Sequence, residues 1–312
     1  MILAMHKIRV GVVGVGYLGN IHAKIYQSLD SCSLVAVCDA DRTRLNLVSQ
    51  LLNIPAYPDF RDLFDKVDAV SIAVPTKLHY KIASAFLKHN VHTLVEKPFT
   101  TDLKEANTLI KLAGKHKLIL QVGHLERFNS AFMSTKKIIK NPQFIECHRL
   151  SPYPNRSLDI GVVLDLMIHD IDIVLGLVNS NLKKIEAVGV RVLSDFEDIA
   201  NARLTFKNGC VANLTASRIS DEVMRKIRIF QKNTYISLDY KEARACVYRK
   251  DGLNISKEDL PIEKEQPLQK ELNSFIDCVN LHLEPVVTGK VAREALSVAL
   301  EIQNQIWRKK IS

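Results

Sequence analysis

No apolar run in this chain approaches the roughly 20 residues needed to span a bilayer, so the sequence predicts no membrane-spanning helix. Cysteine is sparse and scattered: Cys32, Cys38, Cys147, Cys210, Cys246 and Cys278 form no Cys-x-x-Cys pair. That argues against a zinc site or a disulfide framework and fits a reducing cytoplasm. Internal repeats and low-complexity tracts are also missing, which leaves ordinary globular architecture. The formal charge of +9 comes without a long basic tract, only short clusters such as Lys136-Lys137 and Arg308-Lys309-Lys310. Dispersed charge of this kind reads as a solvated surface, not a nucleic-acid face, although its field would also favour an anionic small substrate. The first apolar run is interrupted by glycines and reads as a strand and turn, not as a signal peptide.

With 312 residues, 47% hydrophobic and 25% charged, the chain suits a globular protein of two domains. Strand and helix signals alternate up to residue 123, with strands expected over 8–13, 34–38, 69–74, 91–95 and 118–122 and a short extended piece near Ala56 and Tyr57. Helices are expected between them, over 18–29, 42–52, 80–89 and 104–115. Near-continuous apolar strands separated by helices imply a doubly wound parallel sheet covered on both faces. The pattern then changes. A helix over 130–139, a strand over 144–150 and an apolar helix over 163–177 precede strand-like segments between 183 and 249, with a turn at Asn208-Gly209. Alternation such as Ala202-Arg203-Leu204-Thr205-Phe206 predicts an α+β domain with a largely antiparallel sheet, open on one face. Residues 251–267 read as a surface loop, and helices over 269–281 and 292–306 finish the chain. The domains are therefore expected at 1–123 and 124–312, with the last helices able to pack back on the first.

Chemistry enters with Gly14-Val15-Gly16-Tyr17-Leu18-Gly19, a G-x-G-x-x-G directly after a strand and before a helix. Gly14 permits the tight turn, Gly16 lets the backbone approach a pyrophosphate, and Gly19 allows close helix-to-strand packing. Asp39 ends the next strand 20 residues beyond Gly19; an acid there accepts from a ribose 2′-hydroxyl and repels a 2′-phosphate. NAD is thus preferred over NADP, with Arg42 and Arg44 nearby as possible phosphate partners. Val74-Pro75-Thr76 ends another buried strand and His79 begins the helix after it, so these face either the cofactor or only a turn. Glu96-Lys97-Pro98 closes the strand after that. A lysine at the carboxyl end of a buried parallel strand points into the ligand crevice of an open α/β sheet, and burying it is costly unless it is paired or used. Asp165 and His169 stand four residues apart on an apolar helix and so share a face. Asp170 and Asp172 follow, raising the possibility of a metal, but the other ligands would have to come from unlinked segments. A lysine, a histidine and a carboxylate near a nicotinamide can move a proton while a hydride leaves.

The Gly14–Gly19 fingerprint, Val74-Pro75-Thr76 with His79, Glu96-Lys97-Pro98 and the segment from Gly161 to His169 together resemble the Gfo/Idh/MocA family of NAD(P)-dependent oxidoreductases over nearly the whole chain. The resemblance implies that Lys97, Asp165 and His169 form the catalytic group, and that Tyr17, Leu18, Glu96 and Lys97 join the residues above in holding the cofactor. It also implies homodimers or homotetramers built through the open sheet. The Lys-Pro peptide is often cis in relatives, and Pro98 permits that here. Gly123-His124-Leu125-Glu126-Arg127-Phe128-Asn129 and Arg149-Leu150-Ser151-Pro152 resemble a branch of nucleotide-sugar dehydrogenases. That implies oxidation of a secondary hydroxyl, the 3-hydroxyl of a UDP-N-acetylamino sugar, with Arg127, Arg149 and Arg156 as substrate phosphate ligands beside Lys97, Asp165 and His169. His169 is favoured as base because a neutral imidazole is available near pH 7, with Asp165 orienting it and Lys97 polarising the oxygen; Lys97 as base is the reverse assignment. Inositol or a simple aldose as substrate, an NAD-dependent glycosidase and a non-catalytic NAD-binding regulator are the alternatives.

Overall fold

In the computed structural model, which describes residues 7–153, 160–263 and 266–308, the chain divides into two units. One comprises Met1–His124 with Leu268–Arg293, the other Leu125–Pro267 with Glu294–Ser312. Strands β1 (Ile8–Val13), β2 (Cys32–Cys38), β3 (Ala56–Tyr57), β4 (Ala69–Ile72), β5 (His92–Glu96) and β6 (Leu120–Gly123) form the sheet of the first unit. They run parallel in the order β3-β2-β1-β4-β5-β6, the order of a dinucleotide-binding doubly wound sheet. Helices α1 (Tyr17–Ser28), α2 (Arg42–Leu52), α3 (His79–Lys88) and α4 (Leu103–His116) connect them. Local chemistry sets their ends. Asp41 caps α2 by accepting from the Arg44 N–H, and Asp102 caps α4 by accepting from the Glu105 N–H. Glu105 reaches back to the Thr101 N–H, and Asn53 and Lys117 close the two helices in the left-handed region.

The second unit begins with α5 (Ser130–Thr135) and β7 (Phe144–Leu150) and continues through α6 (Ile168–Leu177). Strands β8 (Leu182–Val190), β9 (Ile199–Phe206), β10 (Val211–Ser217), β11 (Met224–Gln231), β12 (Thr234–Asp239), β13 (Arg244–Asp251) and β14 (Asn254–Asp259) complete its sheet. The order is β14-β13-β12-β11-β7-β10-β9-β8, antiparallel except for the parallel pair β7–β10. Alternation works as expected: Ile145, Cys147, Ala202, Leu204, Ala212, Leu214, Ile227 and Ile229 face inward and are buried beneath the helices. On the outer face an aromatic row crosses four strands: Phe144 packs at a tilt on Phe230, and Phe230, Tyr235 and Tyr248 stack, with ring centroids 5.8, 4.8 and 5.1 Å apart in order. Two helices end the chain, α7 (Pro267–Leu281) and α8 (Gly289–Arg308). Leu272, Phe275, Ile276 and Val279 of α7 share the core of the first unit with Val10, Val12, Ala69 and Leu94.

Three expectations are corrected. Residues 251–267 are not all loop, because β14 pairs with β13; every residue of β14 is exposed, so backbone bonding holds a strand that no hydrophobic alternation announces. The helix over 130–139 stops at Thr135, whose hydroxyl bonds back to the Phe132 carbonyl at 2.8 Å. The apolar helix over 163–177 opens with a π-helical turn, Val163–Met167, before α6 begins.

The interior of the second unit holds a fully buried ion pair, Arg218 with Asp198, at 2.9 Å. Arg218 also donates to the Ile160 carbonyl and the Ser194 hydroxyl, both at 2.8 Å. Asp198 accepts the Val192, Leu193 and Ser194 N–H groups. Burial lifts the Asp198 carboxyl, but the bonds from Ser194, Leu193, Val192 and Arg218 hold it well below the usual carboxylate range. A depressed folded-state value means that this carboxylate stabilises the fold above its unfolded value of about 3.9 and loses that contribution as pH falls through the folded value. Arg218→Met, which strands Asp198, is expected to cost about 3–5 kcal/mol, read as a lower urea midpoint at neutral pH. The wild-type midpoint should fall on acidification below about pH 4 and that of Asp198→Asn more gently; parallel curves would contradict this assignment.

Candidate active site

The carboxyl ends of β1 and β4 meet where the strand order reverses, and the backbone there is in close contact. Gly14 has φ +86°, and a Cβ on it would lie 2.6 Å from the Ala73 carbonyl oxygen. A Cβ on Gly19 would lie 1.7 Å from the Gly14 carbonyl oxygen. Only glycine is accommodated at either place. Gly16 differs: it is the N-cap of α1 with no side-chain capping bond, and the single atom that a Cβ would approach is an Arg44 guanidinium nitrogen at 3.8 Å. The N-cap itself therefore contributes no side-chain cap to the first turn of α1, the arrangement in which a helix N-terminus receives a pyrophosphate. Tyr17, on the first turn, is 70% exposed, and Leu18 beside it is half-buried. Asp39 accepts the Val15 N–H at 2.9 Å and the Asp41 N–H at 2.9 Å, which holds its carboxylate beside the glycine turn. Arg44 rather than Arg42 reaches this carboxylate, at 3.5 Å; Arg42 opens α2 as an exposed residue. A glycine cradle, a helix that starts on a glycine N-cap and an acid at the end of β2 fit a dinucleotide with a free ribose 2′-hydroxyl.

Val74-Pro75 and Glu96-Lys97-Pro98 follow β4 and β5 in this same unit. The Lys97-Pro98 peptide is cis. His79 is the surprise. Its Nδ1 lies 2.9 Å from the Pro98 carbonyl oxygen and its Nε2 2.9 Å from that of Val74, and the ring is 1% exposed. Burial pushes this imidazole down, against the pull of the Val74 and Pro98 carbonyls. The His79 side chain is enclosed between the Val74 turn and the turn after Lys97, and as a neutral ring it donates to one of these two carbonyls and packs against the other. Lys97 itself is half-buried, and its N–H donates to the Glu96 carboxylate at 3.3 Å.

In the second unit the π-helical turn carries Asp165 and α6 carries His169. π-turns inside helices recur at functional sites. Glu197 anchors the entry to this turn: its fully buried carboxylate accepts the Val163 N–H at 3.3 Å and the Gln303 amide at 3.0 Å. Gly161 is required beside it, since a Cβ there would lie 1.9 Å from that carboxylate. Glu197, like His22 and Ser71 discussed below, was missed by sequence reasoning; an isolated acid before a strand carries no motif.

Two of the three arginines expected to meet substrate phosphate are internal ion-pair partners. Arg127 bonds Asp172 at 2.6 and 3.0 Å and lies flat on α6 over Gly176, where a Cβ would come within 2.0 Å of the guanidinium. Arg149 points inward from β7 and bonds Asp170 at 2.8 and 3.0 Å and Glu126 at 2.8 Å. Burial lowers the Arg149 value, but Asp170 and Glu126 outweigh it and hold the guanidinium above its ordinary value. Their charge is already matched, which also accounts for Asp170 and Asp172 without a metal. Arg156 lies outside the described residues. Among the described residues no group of three His, Cys, Asp or Glu side chains is arranged to hold a metal, and no helix is long and apolar enough to cross a membrane.

Comparison with known proteins agrees with this geometry. Residues 8–124 match the model of an oxidoreductase family with an NAD-binding Rossmann fold, and residues 136–236 match the Gfo/Idh/MocA C-terminal domain. UDP-N-acetylglucosamine 3-dehydrogenase of Acidithiobacillus ferrooxidans is 36% identical over 306 residues, 96% of this chain and 97% of its own length. Its crystal structure superposes with a TM-score of 0.92 over 97% of this chain and 98% of that one. Myo-inositol 2-dehydrogenase of Thermotoga maritima is 27% identical, over 97% of each chain. This chain belongs to the Gfo/Idh/MocA family of NAD-binding oxidoreductases.

Proposed function

We propose that this protein oxidises the 3-hydroxyl of a UDP-N-acetylamino sugar with NAD as hydride acceptor. The observation that carries the reading is the 36% identity, at nearly full length on both sides, to a UDP-N-acetylglucosamine 3-dehydrogenase. Asp39, fixed beside the glycine turn by two N–H groups, supports NAD over NADP. When bound, the nicotinamide supplies a carbon that accepts the hydride from the sugar C–H. The chain's own residues handle the proton: His169 takes it from the hydroxyl, Asp165 orients the imidazole, and the Lys97 ammonium holds the oxygen as the carbonyl forms. The reading does not depend on Arg127 or Arg149, whose charges are matched internally.

The aromatic row of Phe144, Phe230, Tyr235 and Tyr248 on the open face of the second sheet supports association through that face as a homodimer or homotetramer. Six free cysteines, five of them buried, support residence in a reducing cytoplasm.

Lys97→Ala should lower turnover by about a thousandfold or more while NAD affinity, followed by calorimetry, stays near wild type; full activity would remove Lys97 from the mechanism. Asp39→Ala should weaken NAD binding by roughly 10- to 100-fold, as loss of a bond to a charged acceptor predicts, and narrow the preference over NADP. In a panel of UDP-sugars, free aldoses and inositols assayed for NAD reduction with an aminotransferase coupled, UDP-N-acetylglucosamine should give the highest kcat/KM. Inositol leading the panel would replace the sugar-nucleotide reading. Binding without any NADH formation would favour a regulator.

A further inference from the structure

Behind Lys97, wholly within the first unit, lies a buried polar column that the reaction as described does not use. His22, on the face of α1 turned to the sheet, is 0% exposed. Its Nδ1 lies 2.7 Å from the Ser71 hydroxyl on β4, and its Nε2 lies 3.3 Å from Glu96 Oε1 at the end of β5. The other Glu96 oxygen accepts the Lys97 N–H. Glu96 is 7% exposed and leans on Gly123 of β6, where a Cβ would meet its Oε1 at 2.7 Å and its Cδ and Oε2 at 2.9 Å. The carboxylate thus occupies room that only glycine leaves. The Tyr26 phenol, fully buried in α1 next to this column, is pushed well up by burial.

Counting donors and acceptors fixes the direction of the column. A neutral imidazole has one donor and one acceptor. If Ser71 accepted from Nδ1–H, the Nε2 lone pair would face a carboxylate oxygen. With the Ser71 hydroxyl donating to Nδ1, the Nε2–H edge of a neutral ring faces Glu96 Oε1 at 3.3 Å, an electrostatic contact outside hydrogen-bond geometry. A chain of this kind, enclosed in a low-dielectric core, polarises along its length, and a missing member leaves a buried charge uncompensated.

We propose that Ser71, His22 and Glu96 form a positioning column for Lys97, in which the Ser71 bond holds the His22 ring so that its Nε2 edge lies against the Glu96 carboxylate. The oriented carboxylate then takes the Lys97 N–H, so the reactive side chain leaves β5 from one fixed main-chain geometry. His79 closes the other side, with its Nδ1 2.9 Å from the Pro98 carbonyl oxygen. The expected effect on turnover rests on Lys97 serving the reaction proposed above; the column itself does not.

The test uses the full chain with His22→Leu, which keeps volume and removes the donor, and His22→Gln, which restores a donor toward Glu96. The first readout needs no substrate: trace acetylation of Lys97, followed by mass spectrometry against the exposed Lys104 and Lys111 as internal standards. The second is the split between kcat and KM with UDP-N-acetylglucosamine and NAD. His22→Leu should change the labelling rate at Lys97 severalfold with no change at Lys104 or Lys111. It should also lower kcat by up to about 100-fold, the cost of a misplaced reacting group, with KM for NAD unchanged, and His22→Gln should recover both toward wild type. Should His22→Leu not fold, Ser71→Ala removes the terminal donor with little change in volume and should shift Lys97 labelling in the same sense. Wild-type labelling and kcat in His22→Leu, or in Ser71→Ala when that replaces it, would overturn the proposal, as would His22→Gln behaving no better than His22→Leu. Absence of any sugar-nucleotide turnover in the wild type would count against the proposed function, and the labelling would still decide the column.

Discussion

A carboxylate buried at the end of a parallel strand has to be compensated, and around Glu96 that requirement organises much of the first unit. The neighbouring strand must end in Gly123, because any side chain would occupy the space of the Glu96 carboxylate. The helix above presents His22, held by Ser71 of the strand on the other side, with its Nε2 3.3 Å from the carboxylate. The residue that follows this carboxylate is Lys97, half-buried at the carboxyl end of β5. Its N–H is taken by the Glu96 carboxylate, and the Pro98 carbonyl that follows lies 2.9 Å from His79 of α3.

Close approach of backbone to backbone is the companion constraint. Gly14 and Gly19 exclude side chains so that α1 can begin directly against β1 and the end of β4, the arrangement in which a helix N-terminus receives a pyrophosphate. In the second unit the same device admits buried charged side chains: Gly161 makes room for Glu197, and Gly176 for Arg127 of the Arg127–Asp172 ion pair. Three arginines there, Arg127, Arg149 and Arg218, are tied to carboxylates in the interior. They do not add to the anion-attracting surface that the +9 formal charge suggests.

The doubly wound sheet was legible because its strands are continuous apolar runs and its glycine turn, Asp39 and Lys97 each sit at a strand end. Periodicity reports such places directly. The fate of Arg127 and Arg149 was not legible, since an arginine that binds phosphate and one that binds a buried aspartate look alike in sequence. Inward alternation on β7 places Arg149 in the core beside Cys147 and Ile145, and that was the available signal. His79 was read as a contact to the cofactor because it follows a strand-end turn, and that its ring is enclosed between the Val74 and Pro98 carbonyls had no signature in sequence. His22 escaped notice because one histidine on a helix face has no spacing partner. Strand β14 and the π-helical turn over Val163–Met167 depend on backbone bonding, which leaves no hydrophobic signature.

The central claim is direct hydride transfer from the sugar to NAD on this chain. It is tested most directly with UDP-N-acetylglucosamine carrying deuterium at carbon 3. The account predicts that each reduced nicotinamide formed carries one deuterium and that the sugar becomes a 3-ketone. Reduced nicotinamide without deuterium, or deuterium released to water, would contradict it.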